Sequence, residues 1–406
     1  MNFFNDFFHQ RYSFITILIF LLIGIFSIIP LNCLFLDPIS KAISDFDIYD
    51  IVFSRLREEQ KADPNIVLIN LGNLSRKEIA EQIIMINQYK PRVIGIDAIF
   101  EEAKDPEDDS ILADAFASIK NLVLVSKVES YNEESESYDS IKFSIEKFNR
   151  ISSNGFANLP NDDNVSFRTI REFRPKTIYR DKEIDAFATK IVQLSDSTAI
   201  SKLRDRNNIT EKINFIGNYD KFFYLDAGQL FDEKINLNFL KDKIVLLGFM
   251  GLNLNTKTFE DIYFTPLNER YAGKSFPDMY GVVIHANIIS MILTGNYINE
   301  MPQWLSIIIS LVICYFNVYV IYNIRKKYKD WFGAFSKTYF LFESLLLLII
   351  GVMALHYFDY RMNVTLILVA LVLTSTVNDI YQHYVIKFFP VLENSFRMKT
   401  EIENEL

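Results

Sequence analysis

Charged residues are absent, or nearly so, from one long stretch near the start of the chain and from three near its end. This segregation limits the possible folds more than any motif does. Phe14–Ile29 (FITILIFLLIGIFSII) carries no charge, and the apolar character runs on to Leu36. About 20 helical residues cross a bilayer, so residues 13–36 are expected to form a transmembrane helix. Trp304–Ile321, Tyr339–Leu355 and Val364–Val377 mark three more, with spans expected at 302–323, 338–357 and 363–380. Between the first helix and the second lies a polar-rich region, 37–301. The chain as a whole is 50% hydrophobic and 23% charged. That is too apolar for a soluble protein of this length and too charged for a bare helical bundle, so two kinds of structure share one chain.

The first apolar stretch reads as an uncleaved anchor. A cleaved signal peptide fits less well, because the basic region before it is weak and no small-x-small site follows. A lipoprotein reading of Cys33 fails, since Pro30-Leu31-Asn32 stands where small residues are needed. Arg325, Lys326, Lys327, Lys329 and Lys337 cluster between the second and third apolar segments. The positive-inside rule places this basic loop, 324–337, in the cytoplasm. Counting crossings from there puts 37–301 and the short loop 358–362 outside. Residues 1–12 and the tail 381–406 fall inside. The tail carries a loose heptad interrupted by Pro390.

The polar region reads as α/β. Asn65–Asn70 (NIVLIN) is a strand, and Ser75 with Glu78 has capping-box spacing before a helical face of Ile79, Ile83 and Ile86. Arg92–Asp97 (RVIGID) is a second strand, Glu107–Ile119 a helix and Asn121–Val128 a third strand. This alternation predicts parallel pairing with right-handed crossovers. Ser130–Ser140 is acidic and reads as an exposed loop. Phe156–Leu159 and Phe167–Phe173 read as a strand pair around the turn formers at 161–164. Asp185–Leu194 reads as an amphipathic helix and Ile213–Ile216 as a strand. Lys243–Leu247, ended by Gly248, is a buried strand, and the apolar run after Gly281 is a helix that Gly295 ends. Only a few residues separate that helix from Trp304, which gives the region a short mechanical path into the membrane.

The formal net charge of -9 argues against a nucleic-acid partner. Two cysteines provide no disulfide framework, and of four histidines only His285 lies in the polar region. A multi-histidine metal site is thereby excluded there, and no cofactor motif is present. Asp97 ends a strand at the edge where α/β sheets place ligands. Asp261 joins it if the Lys243–Leu247 strand is parallel. Two carboxylates at one rim can bind a cation or do acid–base work. The plainer reading is that both cap neighbouring helices or loops, since no nucleophile–base pair accompanies them. His285 is either a helix-start histidine bonded to a loop carbonyl or a ligand contact. Asn287 is placed to bond the Asp261 loop. Gly248-Phe249-Met250-Gly251 hints at a phosphate nest on two glycines only.

Val93–Asp97, Lys243–Gly248, the Asp261–Pro266 loop with Thr265-Pro266, and Gly281–Asn287 (GVVIHAN) together resemble the second class of CHASE domain. Phe156-Ala157-Asn158 and Arg168 resemble its middle section. The resemblance covers nearly the whole chain, including one anchor before the domain and three closely spaced membrane helices after it. It implies an α/β extracytoplasmic domain with a mainly parallel sheet, plus four transmembrane helices, in the bacterial inner membrane. It also implies a sensory role, with Asp97, Asp261, Thr265, Pro266, His285 and Asn287 as ligand-binding or domain-organising residues. Phe249-Met250 departs from the small residues usual after that strand. No cyclase, kinase or phosphatase domain follows within this sequence. The expectation is therefore a non-catalytic protein that signals to a separate protein partner, with a homodimer compatible. The competing expectation is a docking subunit of an envelope complex.

Overall fold

The computed structural model describes residues 10–28, 47–132, 134–159, 169–232, 234–254, 258–268, 276–328 and 331–385. Two compact units emerge. One is Asp50–Ile298; the other joins Met1–Tyr49 to Asn299–Leu406.

In the first unit a mixed sheet is built from β1 (Asp63–Asn70), β2 (Val93–Asp97), β3 (Leu122–Asn132), β4 (Ser137–Lys142), β5 (Ser153–Phe156), β6 (Lys176–Tyr179), β7 (Lys182–Asp185), β8 (Phe222–Leu225) and β9 (Ile244–Gly248). The order is β8-β1-β9-β2-β3-β4-β6-β7, with β5 beside β3. β8, β1, β9, β2 and β3 pair in parallel, as their continuous apolar runs require of strands covered on both faces. The covering helices are α1 (Arg76–Gln88), α2 (Pro106–Ala117), α3 (Phe187–Ser195), α4 (Ser197–Arg206) and α5 (Gly281–Thr294). Side chains alternate along β1. Val67 and Ile69 join Ile79, Ile83, Leu112 and Phe116 of α1 and α2 in one buried cluster. Ile66 and Leu68 join Phe187, Ile191, Ile284 and Ile288 of α3 and α5 in the other. The result is a three-layer α/β/α unit. The Ser75–Glu78 capping box forms at α1, and Gly295 ends α5 in the left-handed conformation (φ 69°).

Four local readings change. Ser130–Ser140 is no loop: β3 and β4 form an antiparallel hairpin, Tyr131 pairing with Tyr138, their rings edge-on at 5.0 Å. Cross-strand pairing rather than buried aliphatic surface holds this hairpin, so its polar composition gives no strand signal. The expected 156/167 strand pair does not form. Instead β5 runs parallel to β3, and Glu172–Phe173 pairs with Glu211–Lys212. The 161–164 turn and Arg168 lie outside the described residues. Ile213–Ile216 forms no strand. Asp185 closes β7, and the helix starts at Phe187.

In the second unit the helices are Gln10–Ile28, Gln303–Lys327, Phe332–Phe358 and Thr365–Ile380. Gln303–Lys327 and Phe332–Phe358 are long and apolar enough to cross a membrane; the other two are shorter. Residues 29–36 of the expected first span lie outside the described residues, as does the heptad tail beyond 385. Two helix ends take up much of the described part of the basic segment 324–337. Arg325–Lys327 close one helix and Phe332 opens the next. Tyr12, Ile15 and Ile19 pack with Cys314, Val318, Ala370 and Val377. Asn317 donates to Glu343 Oε1 at 2.9 Å and accepts the Tyr339 hydroxyl at 2.6 Å. The short connection after Phe358 is structured. Tyr360–Arg361 pairs in parallel with Asn299–Glu300. The Arg361 guanidinium donates to Asp47 and to Glu300, each at 2.7 Å. The Tyr49 hydroxyl donates to the Met362 carbonyl at 2.5 Å.

Candidate functional site

The parallel strands end in register: Asn70 lies beside Gly248, and Gly248 beside Asp97. This row sits at the carboxyl edge of the sheet, where open α/β folds bind ligands. Asn70 is fully buried and organises the turn after β9. Its Oδ1 accepts the amides of Gly72 (3.0 Å) and Met250 (2.8 Å), and its Nδ2 donates to Asp226 and to the Gly251 carbonyl. The Met250 amide is thus spent, which removes the phosphate-nest reading of Gly248–Gly251. Phe249 and Met250 part company: Met250 joins the core, and Phe249 lines a cleft of about 280 Å³.

That cleft brings together Asp97, Asp261 and His285. It also takes in Lys127 at the middle of β3, Glu260 and Tyr263. Burial pushes the Asp97 carboxyl up to about 7. Among the described residues no hydrogen bond or ion pair reaches that carboxyl. Nor does any ion pair reach Lys127 among them. Asp261 has φ 50°, and its carbonyl accepts the Gly281 amide at 3.0 Å. Its carboxylate lies over the first turn of α5. A Cβ on Gly281 would stand 2.9 Å from both carboxylate oxygens, so a side chain there would displace the carboxylate. Tyr280 before it supplies no side-chain cap. Asp261 therefore places its negative charge at a helix N-terminus, as the capping reading expects, while still bordering the cleft. His285 is 5% exposed and meets Phe187 edge-on at 5.2 Å.

Thr265, Pro266 and Asn287 are not among the residues lining this cleft. Thr265 donates its amide (2.9 Å) and hydroxyl (2.5 Å) to Asp278, and Pro266 is buried beside it. Burial raises the Asp278 carboxyl to about 6, against the pull of hydrogen bonds from Thr265 and Asn268. Asn287 does not bond the Asp261 loop. It accepts the Ile216 amide at 2.8 Å and donates to the carbonyls of Gly217 and Val283, each at 2.9 Å. It thereby satisfies the backbone of the segment expected to be a strand. The sequence reading missed Asn70, Lys127 and Asp278. Position marks only Asn70, as a polar residue closing an apolar strand beside Gly72. Among the described residues no group of three or more His, Cys, Asp or Glu is arranged to hold a metal ion.

A family model described as the CHASE2 domain matches residues 18–319, most of the chain. No curated protein and no solved structure matches it.

Proposed function

The chain belongs to the CHASE2 domain family, a family of extracytoplasmic sensory domains, and we propose that it is a non-catalytic sensor of the bacterial inner membrane. In this reading four helices cross the membrane, the α/β unit lies in the periplasm, and both termini are cytoplasmic. A small ligand occupies the cleft between β2, β3 and the start of α5, and the signal passes through the helices to a separate partner. The observation that carries the ligand reading is Asp97: a half-buried carboxyl group lining a cleft, with no hydrogen bond or ion pair to any described residue. An unpaired buried charge costs stability, and such sites tend to be functional.

A second reading is a docking subunit of an envelope complex. It draws on Phe259 and Phe276, whose rings stack at 5.1 Å while 74% and 54% exposed. Exposed aromatic pairs suit a protein surface. Affinity isolation of the full chain from membranes separates the two. Recovery of a kinase or cyclase that survives Phe259→Ser supports sensing. Recovery of envelope machinery that Phe259→Ser abolishes overturns sensing in favour of docking.

A further inference from the structure

We propose that the cleft binds a small zwitterion of the amino-acid class, its ammonium group against Asp97 and its carboxylate against Lys127. The proposal rests on the ligand reading of the cleft and assigns the chemistry of the ligand.

Asp97 and Lys127 line the same cleft, carry opposite charges and do not pair with each other or with any described residue. Two opposite charges facing one cavity would ordinarily meet, because pairing offsets part of their desolvation. Here they come from different strands: Asp97 ends β2, and Lys127 lies in β3, beyond the Ile94–Ile96 stretch paired with Leu122–Leu124. The sheet fixes both backbones on neighbouring strands at the rim of the cleft. A molecule carrying both charges satisfies both groups. A purely cationic ligand would leave Lys127 unpaired, and an anionic one would leave Asp97 so.

The other charged groups on the cleft fit this division. Asp261 is engaged at the first turn of α5, and Glu260 is exposed. The buried His285 is edge-on to Phe187. Walls of Ala98, Ile99, Val125 and Leu159, with the rings of Phe249 and Tyr263, are apolar. They suit a short aliphatic body between two charged ends. The volume of about 280 Å³ falls at the small end of ligand sites, which favours a single amino acid over a peptide.

The test uses the full chain in nanodiscs, with titration calorimetry and thermal melting. The probes are the twenty common amino acids, glycine betaine and 4-aminobutyrate, each up to 10 mM. At least one should bind and raise Tm. Its methyl ester and its N-acetyl derivative should each bind at least tenfold more weakly. Asp97→Asn should weaken the parent compound at least tenfold while leaving the N-acetyl derivative unchanged. Lys127→Gln should do the same for the parent and spare the ester. The two variants keep side-chain size, and each is a folding control for the other. A parent compound bound as well as its ester and N-acetyl forms overturns the zwitterion and leaves the cleft a ligand site. So does binding of simple amines or acetate alone. If none of the probes binds, the zwitterion assignment falls. If, in addition, no periplasmic extract fraction raises Tm in a manner sensitive to Asp97→Asn, the ligand reading falls with it.

Discussion

Asp97 illustrates how a single carboxyl group can be costly to the fold and useful to the site. Its titration is raised to about 7 by burial, above the usual carboxylate value near 4. The folded state therefore holds a proton that the unfolded chain has released, and stability falls as pH rises from about 4 through 7. Asp97→Asn should flatten that slope. It should leave stability unchanged near pH 4 and raise it above pH 8. Urea titrations of the two proteins at both pH values check this, and parallel slopes would show that Asp97 is solvated. Asn287 makes the opposite case. Asn287→Ala strands the Ile216 amide and the Gly217 carbonyl in the interior, so a loss of about 1–3 kcal/mol is expected from the same titrations. At this scale Asp97, Asp261 and His285 were legible as partners, because strand ends and helix starts converge on one edge. Lys127, within its strand, had no positional cue. The partner of Asn287 was misplaced, because residues 216–217 reach it only through tertiary packing.

Among the elements, those with strong periodicity or caps are readable in the amino-acid pattern alone: β1, β2, β9, α1 and α5 stand within a few residues of expectation. The hairpin of β3 and β4 is not. Its stability comes from cross-strand neighbours such as Tyr131 and Tyr138, a pairing that no local pattern reports. The packing of β9 against α5 is closer than either segment's sequence suggests. A Cβ on Gly248 would come 2.5 Å from the Val282 Cβ. Gly248→Ala should therefore push strand and helix apart, costing about 1–3 kcal/mol and loosening the cleft edge. Val282→Gly removes that Cβ, so in melting experiments the pair of changes should cost less than the sum of the two single losses; simple additivity would place the cost elsewhere.

For the whole molecule, the charge asymmetry around Arg325–Lys337 sets the expected orientation. Export-dependent reporter fusions at Ser140 and Asp359 should be active, and fusions at Lys327 and after Leu406 silent. Activity at Lys327 would reverse the arrangement. Four apolar segments could be counted from sequence. The contact of Arg361 with both Asp47 and Glu300 could not, because it links positions far apart in the chain. That contact has a consequence for modularity. The residues entering the α/β unit and those leaving it are clasped to the same short turn, so the unit is an insert whose two ends are already joined. Replacing Asp50–Ile298 with a brief glycine–serine linker should leave Arg361, Asp47, Glu300 and the helices folded as before. Cysteines placed at Asn299 and Tyr360, whose backbones pair beside this contact, should then cross-link as readily in the shortened chain as in the full one. A lineage could exchange one sensory insert for another at this clasp without redesigning the membrane part.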